Sequence, residues 1–173
     1  ATIDAVAERL AGFHAGIEPV PDDSEFGTPE HVHAPVRENF RHVRALPHEP
    51  ETEAQLERIE AWAEAAFARL RPLMAERRAE GCIRECHGDA HLGNIVLVDG
   101  RVVLFDGIEF NPELRWIDLL SEAAFLAMDL DARGRPDLSA RFLDAYLART
   151  GDYAGAPLLA YFLCYRAMVR AKV

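Results

Sequence analysis

Apolar positions recur along most of this chain at helical spacing, and at a few short places they run together as a strand would need. Ile3, Val6, Leu10 and Phe13 fall on one face of a first helix, which Thr2 can cap and Gly16 can end. From Glu18 to Pro35 the chain carries Pro19, Pro21, Gly27, Pro29 and Pro35, which predicts an extended surface excursion. His31 and His33 lie within it and read as surface residues. A short helix is expected over Val36 to Ala45, and Pro47 and Pro50 mark the next junction. The strongest periodicity follows. Leu56, Ile59, Ala63, Phe67, Leu70 and Met74 line one face between Glu51 and Glu80, and Gly81 stands at the C-terminal stop. Pro72 is expected to kink or break this helix near Leu70 and Arg71. Trp62 and Trp116 read as packing residues.

Beyond Gly81 the period shortens. Cys82 to Glu85 is strand-like, and Ile95 to Val98 and Arg101 to Phe105 are β-branched runs joined by Asp99-Gly100. A tight hairpin turn needs positive φ at both central residues, and Asp-Gly supplies it. Three helices are then expected, over about Trp116 to Met128, Pro136 to Thr150 (with Gly151 behind it) and Pro157 onward. The fold class predicted is α+β, mostly helical, with one small hairpin. With 173 residues, half of them hydrophobic, the chain can bury one core, so residues 1–173 read as one domain.

Composition narrows the function. A formal net charge of −10 argues against a nucleic-acid binder that neutralises phosphates. No stretch reaches the roughly 18 unbroken apolar residues of a membrane span; the nearest, Ala156 to Val169, is interrupted by Arg166. Cys82, Cys86 and Cys164 are too few for a disulfide framework and read as reduced thiols in a cytoplasmic protein. The chain has no initiating Met, and its last helix runs into Val173 without a stop signal, as expected of part of a larger protein.

The chemistry concentrates in Cys86-His87-Gly88-Asp89-Ala90-His91-Leu92-Gly93-Asn94, which contains H-x-D-x-x-x-x-N. Asp106 follows Asn94 by twelve residues at the end of the second hairpin strand, and Asp118 follows Asp106 by twelve. Phosphoryl transfer to a hydroxyl needs a carboxylate to orient or deprotonate the attacking group, and hard oxygen ligands to hold magnesium against nucleotide phosphates. Asp89 can supply the first. Asn94 and Asp106 can supply the second, because a hairpin brings its two ends back together.

At these residues the sequence resembles the aminoglycoside and choline phosphotransferase family, which shares the protein-kinase fold. The resemblance implies ATP and magnesium as cofactors, a small-molecule hydroxyl as acceptor, Asp89 as catalytic base and Asn94 and Asp106 as metal ligands. It also implies that His87 braces the loop and that Asp118 holds it from a helix start. Leu10-Ala11-Gly12-Phe13-His14 resembles the first helices after the interlobe linker of this family. Ile108-Glu109-Phe110-Asn111, the run from Ala123 to Leu130, and Tyr165-Arg166-Ala167 resemble bacterial proteins that join such a domain to a C-terminal P-loop kinase domain. On that resemblance the chain is the larger C-terminal lobe, a fragment lacking the N-terminal ATP-binding lobe.

The departures matter equally. Gly107-Ile108 follows the metal Asp where protein kinases have Phe-Gly, no Gly-rich phosphate loop or Walker-type motif is present, and Lys172 is the only lysine. The chain alone is therefore expected to have little or no kinase activity.

Other readings of the same residues stand beside this one. Asp89, Asn94 and Asp106 suit ordinary turns and strand ends. Asp118 suits the first turn of a helix. Glu109 fits either a substrate-side carboxylate or a solvated loop residue. Cys82, Cys86, His87 and His91 form C-x-x-x-C-H-x-x-x-H, but no loop separates the pairs to wrap zinc, and buried thiols are the simpler account. Asp89-Ala90-His91 echoes the D-x-H of a metallophosphoesterase, yet no histidine follows His91 to complete a two-metal site. A degenerate kinase-like module that binds without catalysing is the non-enzymatic alternative.

Overall fold

The computed structural model describes residues 3–47 and 49–172. Its elements in chain order are α1 (Ile3–Ala15), α2 (Pro29–Arg44), α3 (Pro50–Ala79), β1 (Ile83–Glu85), β2 (Ile95–Val98), β3 (Arg101–Leu104), β4 (Trp116–Asp118), α4 (Leu119–Ala132), α5 (Pro136–Thr150) and α6 (Leu159–Ala171). The predicted α+β, mostly helical character is what the chain adopts. The cap expected at Thr2 lies outside the described residues.

Strands β2 and β3 pair antiparallel from Ile95↔Leu104 to Val98↔Arg101. Asp99 and Gly100 both take positive φ, 50° and 75°, as the predicted tight turn requires. Strands β1 and β4 form a second antiparallel ribbon, Ile83↔Asp118 to Glu85↔Trp116. This second pairing corrects the expectation of a helix beginning at Trp116. Trp116 to Asp118 are extended, and the helix starts only at Leu119, with Asp118 as its cap.

Two other expectations fail because proline is tolerated where the bond it forfeits is not missed. That holds at a helix start, whose N–H has no partner, and on an exposed face, where water takes the freed carbonyl. The supposed excursion from Glu18 to Pro35 turns helical at Pro29, the first residue of α2, where Thr28 Oγ1 accepts from His31 N at 3.3 Å. Helix α3 likewise continues through Pro72 without a break. Pro72 and Ala68, whose carbonyl it cannot bond, both lie on the exposed side of that helix. The buried face of α3 is Leu56, Ala63, Ala66, Leu70, Met74 and Arg77, so Ile59 and Trp62 fall just outside it and are exposed.

Helix α4 is the centre of the molecule. Every residue from Leu120 to Leu130 is buried, and the helix packs against α5 and α6, while α1 packs on α5 and α2 on α3 and α6. A helix apolar on all sides belongs in a core. This one carries Ser121, Glu122 and Asp129 into that core, and each of them must find a partner there.

Candidate active site

The loop from Cys86 to Asn94 joins β1 to the hairpin and folds tightly on itself. His91 N bonds Asp89 O, and Asn94 N bonds His91 O, each at 2.9 Å. The Asn94 amide donates to Asp89 twice, to its backbone O and to its Oδ2, both at 3.0 Å. With its NH2 so engaged, Asn94 Oδ1 and Asp89 Oδ1 are left without a hydrogen-bond partner among the described residues. His91 Nδ1 accepts from Gly93 N at 3.0 Å, so its proton sits on Nε2, which faces Asp89 Oδ2 at 3.4 Å.

The hairpin returns to this loop as its turn demands. Phe105 N bonds Asn94 O at 3.1 Å, and Ile108 N bonds His87 O at 2.9 Å, so Asp106 and Gly107 are tied down on both sides. His87 completes the tie. Its Nδ1 accepts from Asp89 N at 3.3 Å, which leaves Nε2 to donate to Phe105 O at 2.8 Å. Asp106 adopts a left-handed φ of 59° and is exposed. Among the described residues its carboxylate has no hydrogen-bond or ion-pair partner. The free Asn94 Oδ1 and the free Asp106 carboxylate are hard oxygen donors of the kind magnesium prefers, so the donor set fits that ion.

The loop rests on α4, and sequence reasoning missed this. Glu122, fully buried, accepts from Gly88 N through Oε1 at 2.6 Å and from His87 N through Oε2 at 3.2 Å. Two turns further along, Asp129 Oδ2 accepts from Leu92 N at 3.0 Å. Buried Arg166, with its guanidinium over the rings of Phe125 and Tyr165, bonds Ser121 O at 3.0 Å and reaches Gly88 O at 3.4 Å. Gly88 itself has φ of 86°, and a Cβ there would lie 2.8 Å from Leu114 O. The signal available beforehand was acidic residues inside an otherwise apolar run, spaced by seven so as to share a face.

Burial works against a charged Glu122. The hydrogen bond and charge of His14 and the two loop N–H groups outweigh it, and the carboxyl is held below its ordinary range.

Asp118 sits differently from the expectation that it holds the loop. Besides capping α4 through Leu120 N at 2.8 Å, its carboxylate takes a two-pronged bond from Arg77, at 2.7 and 2.9 Å. Arg77 also bonds Asp152 at 2.6 and 2.7 Å. Burial disfavours the Arg77 charge, but the two carboxylates reverse that and keep it firmly protonated. The cluster staples α3 to the start of α4 and to the turn after α5. Glu109 is exposed, beside a shallow cleft with His87, Ile108 and Arg115.

The histidines correct one further expectation, and the thiols follow theirs. His33 is buried, not at the surface. It bonds Tyr161 Oη at 2.7 Å and Glu64 at 3.0 Å and stacks on Phe67. Cys86 is fully buried, and burial pushes its thiol well up; Cys82 is pushed up to about 11. Protonated thiols beside a His87 whose ring nitrogens are both engaged do not make a zinc site. His14, Cys86 and Glu122 also lie close together. His14 has both ring nitrogens occupied, by Tyr146 and Glu122, so the trio is a core network.

A cavity of about 270 Å³ opens between α2, β4 and α6. Phe26 and Trp116 line it with parallel rings 6.3 Å apart, together with Phe162, Tyr165, Glu38 and Glu113.

Among the described residues, no helix is long and apolar enough to cross a membrane. No solved structure matches the chain. Relatives in Mycobacterium bovis and in two strains of Mycobacterium tuberculosis, each described as an uncharacterized protein, are 39% identical over 174 positions, which is 99% of this chain. The chain spans 34% of the length of those relatives, about a third. Residues 1–159 match the Phosphotransferase enzyme family, and with nearly the whole chain covered, the protein belongs to that family.

Proposed function

We propose that this chain carries the catalytic loop and metal ligands of a cytoplasmic small-molecule kinase, one that transfers a phosphoryl group from ATP to a hydroxyl. The observation that supports this best is the division of labour at Asn94. Its NH2 orients the Asp89 carboxylate, while its oxygen and the Asp106 carboxylate stay open within the tied ends of one hairpin.

In this reading Asp89 accepts a hydrogen bond from the acceptor hydroxyl and aims its oxygen at the terminal phosphorus. As the new O–P bond forms, the bond from phosphorus to the ADP oxygen breaks, and the hydroxyl proton passes to Asp89. Asn94 Oδ1 and Asp106 would hold magnesium, which when bound offsets the phosphate charge. His87 keeps Asp89 and the strand end before Asp106 in one frame. An N-terminal lobe would supply the phosphate contacts that a chain with Lys172 as its sole lysine lacks, and a P-loop domain would stand C-terminal to this one.

The experiment is magnesium-dependent ATP turnover by the full-length parent and by its Asp106→Ala variant. Turnover in the parent and loss in the variant is the expected result. A parent that neither binds nor hydrolyses nucleotide would reduce the assignment to a likeness of fold and favour a non-catalytic binding module. The isolated 173-residue chain is expected to show no turnover.

A further inference from the structure

Glu122 does not act alone. Its Oε2 accepts from His14 Nε2 at 2.9 Å, and His14 Nδ1 pairs with Tyr146 Oη at 2.7 Å. The three side chains come from α4, α1 and α5, and each is at most 1% exposed. His14 and Tyr146 stand 132 residues apart. We propose that Tyr146, His14 and Glu122 form one buried unit of positioning residues that fixes the loop backbone immediately before Asp89, and through it the aim of the phosphoryl-transfer base.

Donor and acceptor counts support this. Glu122 receives three donors: His14 Nε2–H, His87 N–H and Gly88 N–H. Only a group that accepts at both oxygens can serve all three. A glutamine of the same shape would turn its NH2 toward one of those N–H groups, and a buried donor would face a donor. His14 must present its proton to Glu122, and Tyr146 holds the ring in the orientation that does so. The hydroxyl bonds His14 alone among the described residues. The neighbouring Arg166 and Asp129 hold Gly88 O and Leu92 N, further points of the same loop, so a displaced Glu122 would pivot the segment that carries Asp89.

The molecule contains its own control. His33 has the same two partners in the same arrangement, Tyr161 Oη at 2.7 Å on Nδ1 and Glu64 at 3.0 Å on Nε2. There the glutamate ends on Arg37 at the surface, at 2.7 and 2.6 Å. Two units of equal chemistry thus differ in what lies beyond the carboxylate, a loop in one case and solvent in the other. A purely structural role predicts the same consequences for both, whereas a positioning role predicts a split.

The proposal rests on the kinase reading, and its test has one arm that does not. In the full-length protein, Glu122→Gln is expected to lower kcat by about 10²-fold, the effect of misplacing a catalytic group by roughly 1 Å. KM for ATP should stay within about two-fold, since the nucleotide's own contacts are untouched. Tyr146→Phe removes one distal hydroxyl and should lower kcat by about five-fold, the worth of one hydrogen bond. Tyr161→Phe should lower the melting temperature as much as Tyr146→Phe does and leave kcat alone. Hydrogen exchange over residues 86–94, read by mass spectrometry, should quicken in Glu122→Gln and Tyr146→Phe and not in Tyr161→Phe. If Glu122→Gln fails to fold, the two tyrosine variants carry the comparison. Unchanged kcat and exchange in Tyr146→Phe, or equal losses in both tyrosine variants, would overturn the proposal. A parent without ATP turnover would overturn the kinase reading instead, and the exchange comparison would then decide whether the unit holds the loop.

Discussion

His33 shows how one buried side chain can set a pH response. Burial lowers its pKa from the ordinary 6.5, and although Glu64 pulls the other way, burial prevails. The unfolded chain therefore binds a proton at this position before the folded one does. Stability from His33 is complete above 6.5 and declines as pH falls below it. Glu64, held down to about 2 chiefly by Arg37, has the same sign but acts only in more acid solution: its contribution is present above 4.5 and lost as pH falls through 2. The melting temperature is thus expected to fall between pH 7 and pH 5, a range in which Glu64 stays ionised, and to fall less in His33→Asn. A wild-type profile flat across that range would contradict the assignment of a buried, neutral His33.

Among the elements, α3 is fastened to the start of α4 by charge. Arg77 is 1% exposed and bonds carboxylates from two other parts of the chain. Removing it would leave Asp118 and Asp152 facing each other without a cation, at a cost of about 3–5 kcal/mol. Urea unfolding of Arg77→Met against wild type measures this directly. Gly155 belongs to the same cluster, because a Cβ there would lie 2.3 Å from Arg77 Nη1. None of it was legible in the sequence. The hairpin was, because Asp99-Gly100 and its flanking β-branched runs are neighbours in the chain and their geometry is decided locally. The loop from His87 to Asn94 was legible for the same reason. Asp118, by contrast, was recognised as a helix-start residue while its real partner lay 41 residues back. Glu122 passed unnoticed because its partners, His14 and the loop N–H groups, become neighbours only when α1, α4 and the loop pack. Prolines misled where the rule is most often applied too widely: Pro29 begins a helix and Pro72 rides along the outside of one.

On the scale of the whole molecule, the proposed chemistry is divided between two kinds of support. Asp106 lies on an exposed hairpin end, tied to the loop by a few backbone bonds. The segment carrying Asp89 is fastened to a helix with no water-facing residue from Leu120 to Leu130. That difference governs how the protein can vary. At α4 a substitution meets the core and the loop at once, so changes that damage function there will also reduce the amount of folded protein. At the hairpin the two effects come apart. In a library of all single substitutions scored separately for abundance and for activity, α4 positions should fall along a common diagonal. Asp106 should lie far from it, abundant and inactive.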